Sequence, residues 1–501
     1  MTTPDVDVLI VGAGISGIGM AAHLKMECPD RSFAILERRD NLGGTWDLFR
    51  YPGIRSDSDM HTLGFEFEPW RHEKSIADAP AILEYLNRIV DERGIREHIR
   101  LSQKVISADW SSADAIWTLT VENGSGEQSQ TTARWLYLGS GYYDYDEPYD
   151  AGFDLSAFEG QVIHPQFWPD DLDYSGKKVV VIGSGATAVT IVPSMSRDAA
   201  HITMLQRTPT WVFSRPAKDG IANALRKVLP ERLAYRITRF KNIQMQSFGF
   251  KAARNHPEKA KQRLHDRIRK SMGADYDLKD FTPPYNPWDQ RICLVPDDDL
   301  FAAMKAGKAE VVTDRIAGFE ENGIRLESGK LLEADIVVTA TGLRLAVAGK
   351  IAVSMDGAPV KFEDHFYYKG CMFSNIPNLA VVFGYLNASW TLRADLNSAY
   401  ICRVLNLMTE RGASVAVADL SKEREAALEE DDLFDFSSGY IQRSKHIMPK
   451  SAVEYPWRLN QNYVMDRKIM RESPVEDGIL TLRGPDAGAA EDAEQRLEAA
   501  E

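Results

Sequence analysis

Two glycine-rich turns, each set between a strand and a helix, constrain this chain more than any other feature. Val6–Val11 is a short, β-branched apolar run, the pattern of a buried parallel strand, and it leads directly into Gly12-x-Gly14-x-x-Gly17. A helical pattern follows to about Met26, then a second strand, Phe33–Leu36, ending at Glu37. The same order recurs later: Val179–Ile182, then Gly183-Ser184-Gly185-Ala186-Thr187-Ala188, then a strand at His201–Leu205. In such a βαβ unit, backbone N–H groups and the positive end of a helix dipole meet at one turn, where a pyrophosphate binds. A lone glycine triplet is weak evidence, because such turns recur without ligands. Two of them, each in full strand–turn–helix context, predict an α/β chain with two Rossmann-like dinucleotide-binding domains.

The two units differ in a way that assigns their cofactors. In the first, Gly12, Gly14, Ser16 and Gly17 form the cradle, and Glu37 falls about twenty positions on, where a carboxylate accepts from a ribose hydroxyl. In the second, Ala188 takes the third glycine position, which serves helix-on-strand packing, and Arg207-Thr208 stands where the acidic residue would be. A guanidinium binds a 2′-phosphate bidentately, whereas a carboxylate there repels it. FAD is therefore expected on the first unit and NADPH on the second, the latter held by Gly183, Ser184, Gly185, Ala186, Thr187, Ala188, Arg207 and Thr208. The competing reading of Arg207 is a solvated surface arginine.

Composition narrows the class. The chain has 501 residues, 44% hydrophobic and 26% charged, enough for two or three ordinary domains. A net charge of −14 argues against nucleic acid as the main partner. Cys28, Cys293, Cys371 and Cys402 have neither metal-ligand nor redox-pair spacing, so reduced, buried thiols, no metal and a cytoplasmic location are expected. The strand-length apolar run at the start has no basic region before it, which argues against a signal peptide, and no apolar stretch is long enough for a membrane span. Between Arg215 and Lys270, 16 basic residues stand against 4 acidic ones in a helical pattern. Ile221, Leu225, Val228, Leu229 and Leu233 recur among these cations at near-helical spacing. Two readings stay open: a cap with a solvated basic face, or a basic amphipathic surface that rests on anionic lipid as a peripheral membrane contact.

Strand-like text resumes at Ala309–Val312 and at Ile336–Ala340, which ends in Thr341-Gly342. The expected organisation is a first FAD-binding part at 1–145, an NADPH-binding domain at 146–342 with a helical insertion at about 215–290, and a second FAD-binding part with a C-terminal tail at 343–501. The closing residues, EDAEQRLEAAE, are acidic and Ala-rich, and a frayed or disordered end is expected there.

Between the two fingerprints lies Phe158–Pro169, FEGQVIHPQFWP. This F-x-G-x-x-x-H-x-x-x-W-P string resembles the signature of the class B flavin-dependent (Baeyer–Villiger) monooxygenases. The block from Gly43-Gly44-Thr45-Trp46 through Tyr51-Pro52-Gly53 to Asp57 resembles their second fingerprint. RYPGIRSDSDMHTLGFEF, SGYYDYDE, YNPWDQR, NASWTLRADL and PWRLNQNY extend the likeness over nearly the whole chain, towards the group that activates thioamide prodrugs in mycobacteria.

The resemblance implies FAD and NADPH as cofactors, and conversion of apolar ketones to esters or lactones with O2 through a C4a-peroxyflavin. Oxidation of sulfides or thioamides is often added. It also implies that Thr45, Trp46, Asp47 and Leu48 lie along the flavin, that Arg55, Ser56 and Asp57 lie near the flavin–nicotinamide junction, and that His164 is a structural residue of the interdomain linker. Val105 is expected to touch FAD as well. Arg291 matches the arginine that stabilises the oxygenating flavin, with Asp57 holding it, and Gln290 stands where relatives carry a lysine. From spacing alone, Arg291 would pass for a structural arginine. Two rivals remain: an enzyme that oxygenates only nitrogen or sulfur, and a flavoprotein disulfide reductase or NADPH-binding regulator without oxygen chemistry. The reductase needs a cysteine pair that this sequence lacks. Substrate identity, regiochemistry and oligomeric state are not written in it.

Overall fold

The computed structural model describes residues 3–434 and 436–484; the acidic EDAEQRLEAAE end lies outside them. Val6–Val11 is the central strand of the first sheet, pairing in parallel with Phe33–Leu36 on one side and Gln128–Leu138 on the other. Val8, Leu9 and Ile10 are fully buried. Apolar side chains therefore point both ways from this strand, because packed elements cover both faces of the sheet. Gln103–Ser111 and Ile116–Asn123 extend the sheet as antiparallel strands. Strands from late in the chain complete it: Ala352–Met355 pairs with Gln103–Ser111, and Leu379–Val381 pairs with Gln128–Leu138. The buried helix Trp390–Arg411 packs on Ile15–Glu27.

The second sheet has five strands, all parallel, in the order Ala309–Thr313, His201–Gln206, Lys178–Ile182, Ile336–Thr339, Gln161–Ile163. Lys178 and Gln206 extend the strands read from the sequence by one residue each, and Ala340 lies just past its strand. Three helices, Gly220–Val228, Glu231–Asn255 and Pro257–Met272, occupy the basic stretch. Asp219 starts the first by accepting the N–H groups of Ile221 and Ala222, and Pro257 opens the third, where a missing N–H costs nothing. This excursion leaves after Val212–Arg215 and returns through Cys293–Pro296, and those two strands pair in parallel.

The chain crosses between the sheets twice, after Leu138 and after Thr339, and the crossings run side by side. Tyr143 bridges Leu345, the Asp144 N–H donates to the Arg344 carbonyl at 2.9 Å, and the Ala346 N–H donates to the Tyr142 carbonyl at 3.1 Å. The Phe158–Pro169 string is fastened to the same place. Gln166 donates its amide to the Asp144 carbonyl at 2.9 Å, and the Gln166 N–H donates to His164 Nδ1 at 3.2 Å. Burial lowers the His164 pKa, so the ring is neutral near pH 7 and works as a turn-forming acceptor. A Cβ on Gly160 would come within 2.5 Å of the Asp335 carbonyl and closer still to the Phe158 ring, so only glycine fits there.

Candidate active site

A cavity of about 1320 Å³ opens where the C-terminal ends of the parallel strands of the two sheets face each other. It exceeds the usual size of a single drug-sized ligand site, roughly 300–1,000 Å³, and sits where open α/β sheets bind ligands. Every site residue read from the sequence lines it except Gly17, Asp47 and Ala188.

Both glycine turns are built as cradles. Gly12 has φ +101°, and a Cβ there would stand 2.8 Å from the Gly139 carbonyl oxygen; Gly183 has φ +140°, with a Cβ 2.2 Å from the Ala340 oxygen. Gly17 and Ala188 work behind the cavity wall. A Cβ on Gly17 would meet the Gly12 oxygen at 1.9 Å, whereas Ala188 is fully buried with room for its methyl. The helices that follow, Ile15–Glu27 and Ala186–Met195, begin without a side-chain cap and without an acidic residue in the first turn. Their leading N–H groups and positive dipole ends stay uncommitted and border the cavity, which suits a pyrophosphate at each.

These observations yield a paired expectation. Gly17→Ala should purify with about a tenth or less of the normal flavin content, because its methyl must displace backbone. A Cβ on Gly185 meets no protein atom within 4 Å, so Gly185→Ala should keep fold and flavin while raising the KM for NADPH. Flavin absorbance and steady-state kinetics on the two variants check both halves.

Glu37 is nearly buried at the end of its strand. Its carboxylate accepts the Ala13 N–H at 2.7 Å and the Arg39 N–H at 3.0 Å, and burial raises its pKa although those bonds oppose the rise. It keeps an edge on the cavity, where a ribose hydroxyl can donate to it. Thr45, Trp46 and Leu48 line the wall beside it, and Val105 lies nearby. Asp47, expected with them, is bound by Arg39 at 2.7 and 2.8 Å and lies away from the cavity. Arg55 donates to Asp299 at 2.5 Å, and Ser56 accepts the Ala77 N–H.

On the second side, Ser184 Oγ donates to the Thr208 carbonyl at 3.2 Å, tying the cradle to the segment that carries Arg207. Arg207 is exposed on the cavity wall, and no ion pair engages its guanidinium among the described residues. Gln290 lines the cavity too.

Between the two cradles stands Arg291. Its Nη1 lies 3.2 Å from an Asp57 carboxylate oxygen, and its Nε donates to the Leu386 carbonyl at 3.2 Å. Asp57 raises the Arg291 pKa; burial pulls the other way and loses. The guanidinium is thus a permanent, tethered cation whose free edge borders the cavity. Tyr142, Tyr143 and Tyr440 surround it, their phenols kept protonated chiefly by burial. Tyr142 stacks on Trp390 with ring centroids 5.0 Å apart, and Trp390 Nε1 donates to Ser16 Oγ at 2.8 Å. The tyrosines and Trp390 were not singled out from the sequence. Tyr142, Tyr143 and Trp390 lay inside strings that carried the family likeness, but spacing offered no sign that they meet. Arg315, which also lines the cavity without an ion pair among the described residues, had no sequence signal at all.

Comparison with known proteins adds the following. A model of the flavin-binding monooxygenase-like family matches residues 72–430, and a model of an NAD(P)-binding Rossmann-like domain matches residues 10–76. The FAD-containing monooxygenase EthA of Mycolicibacterium smegmatis is 50% identical over 481 residues, 95% of this chain and 97% of that protein. The probable FAD-binding monooxygenase AlmA of Acinetobacter baylyi is 46% identical over 477 residues, 95% of each chain. Among solved structures, an oxidized steroid monooxygenase bound to NADP has a TM-score of 0.74 at 20% identity, covering 95% of this chain and 99% of that one. A complex of OTEMO with FAD and NADP has a TM-score of 0.73 at 19% identity, covering 96% and 100%. At such identities these two structures establish a common fold.

Proposed function

This chain belongs to the flavin-binding monooxygenase-like family and is a flavin monooxygenase; from that premise we propose that it uses NADPH and O2 to turn apolar ketones into esters or lactones, and that it also oxidises sulfides or thioamides. The observation that carries the proposal is the Asp57–Arg291 pair, a fixed cation at a cavity bordered by two dinucleotide cradles. FAD is assigned to residues 1–145 and 343–501, against Gly12, Gly14, Ser16, Glu37, Thr45, Trp46, Leu48 and Val105. NADPH is assigned to residues 146–342, against Gly183, Ser184, Gly185, Ala186, Thr187, Arg207 and Thr208. When bound, the two cofactors supply hydride and the activation of O2.

The protein's own part is charge and position. Attack on a ketone carbonyl needs an oxygen nucleophile that stays anionic, and the Arg291 guanidinium is preorganised to stabilise that charge without solvent reorganisation. Asp57 fixes the direction of the guanidinium. The protonated phenols of Tyr142, Tyr143 and Tyr440 border the same space and leave the guanidinium the only charge of its sign among them.

The test is product analysis by mass spectrometry on a panel of methyl ketones, cyclic ketones and aryl sulfides with NADPH. Esters or lactones from ketones, together with sulfoxides, are expected. Sulfoxides without ester from any ketone would assign the site to heteroatom oxygenation alone. Reduced flavin that never consumes O2 would remove oxygen chemistry altogether.

A further inference from the structure

The Glu231–Asn255 helix is apolar on its outer side as well as its inner one. Its inner face buries Ala234, Tyr235 and Ile243 together with Thr238, Arg239 and Asn242. Arg239 donates to the carbonyl oxygens of His61 at 3.0 Å and Gly64 at 2.7 Å, and faces Asp395 at 3.4 Å. Asn242 and Gln246 both donate to Asp59, at 2.8 and 2.9 Å. Leu233, Ile237, Phe240 and Phe248 recur at i, i+4, i+7 and i+15, which is one stripe along an α-helix, and that stripe faces outward. Phe240 is 66% exposed and Phe248 74%, with Met245 on the flank at 64%. Ile221 and Val228, 58% and 77% exposed, continue the patch on the neighbouring Gly220–Val228 helix. Solitary exposed apolar residues are ordinary; a run of them on the outer face of a helix already anchored through its inner face marks a surface that something apolar covers.

Charge says what that something is. Lys227, Arg232, Arg236 and Lys251 are exposed around the stripe, within a stretch carrying 16 basic against 4 acidic residues in a chain of net charge −14. A negatively charged surface therefore attracts this face and repels the remainder of the molecule, which orients it. A second copy of the chain is a poor occupant. A two-fold interface would set this basic face against itself.

We propose that the outer face of the Gly220–Val228 and Glu231–Asn255 helices docks on an anionic lipid surface. Phe240 and Phe248 enter the acyl boundary, and Lys227, Arg236 and Lys251 meet the head groups. No helix of the described residues is long and apolar enough to cross a membrane, so the contact is peripheral. The inner-face anchors run to Asp59–Gly64, which begins two residues after Asp57, so the docked face is fastened to the segment that carries the candidate site. This inference stands whichever substrate the site oxidises.

Flotation of the flavin-loaded protein with phosphatidylglycerol–phosphatidylcholine vesicles, against phosphatidylcholine alone, tests it. Binding to the anionic vesicles is expected at low salt and should weaken at high salt. Phe240→Ser/Phe248→Ser should lose at least about tenfold in vesicle affinity, and Lys227→Glu/Arg236→Glu about fivefold per site or more. NADPH oxidation in solution should be unchanged in both. Absence of binding to anionic vesicles overturns the proposal, as does binding that neither variant weakens. A concentration-dependent dimer that becomes monomeric in Phe240→Ser/Phe248→Ser also overturns it, in favour of a second copy on this face.

Discussion

Arg291→Ala is expected to bind FAD and keep its secondary structure while losing ester formation by a factor on the order of 10²–10³, the usual effect of removing a preorganised charge at the reacting oxygen. Arg291 makes one tether to Asp57 and one to the Leu386 carbonyl, and neither spans the core of a sheet. Oxygen consumption should continue with hydrogen peroxide as the product. Flavin reduction by NADPH should slow yet stay measurable, because the same cation stands near the expected nicotinamide position. Asp57→Ala should impair both half-reactions less, since the Leu386 carbonyl still directs the guanidinium. Stopped-flow absorbance and product analysis separate these outcomes. Near-normal ester formation by Arg291→Ala would show that another residue supplies the positive charge.

The second large effect is expected at Arg207. The unmutated protein should prefer NADPH strongly over NADH, and Arg207→Ala should raise the KM for NADPH while leaving NADH nearly untouched. Losing a charge-assisted bond to the 2′-phosphate costs about 1.5–3 kcal/mol, roughly ten- to hundredfold in affinity. The competing role, a solvated surface arginine, would leave both cofactors unaffected. Steady-state kinetics with each cofactor decides between them, and equal use of NADPH and NADH by the unmutated protein removes the assignment.

Much of the architecture can be read before any coordinates exist. Val6–Val11 and Phe33–Leu36 declare themselves because a strand buried on both faces must be apolar throughout. The basic helices between Arg215 and Lys270 declare themselves by period and charge. The floor of the cavity is harder to read. Trp390 reaches Ser16 from more than three hundred positions away, and no local pattern encodes that meeting. Arg315 comes to the wall through the turn after Ala309–Thr313, in a stretch with no motif. Asp47 shows the opposite difficulty. Its neighbours suggest the flavin, yet an arginine eight residues earlier takes its carboxylate. The near-helical recurrence of Ile221, Leu225, Val228, Leu229 and Leu233 meets the outward stripe of Glu231–Asn255 only at Leu233, and periodicity gives a face without saying which way it points.

The origin of the strands in the first sheet has a consequence for biosynthesis. The second sheet is drawn from one continuous stretch, Gln161 to Thr339, whereas the first needs Ala352–Met355, Ala358–Pro359 and Leu379–Val381 from the far side of that stretch. Domains form as their segments leave the ribosome. The second sheet therefore has all its strands while the first still lacks three, and the indole of Trp390 reaches Ser16 only later. On a nascent chain the surroundings of the Gly12–Gly17 cradle are the last to be completed, although its glycines precede every strand of the second sheet.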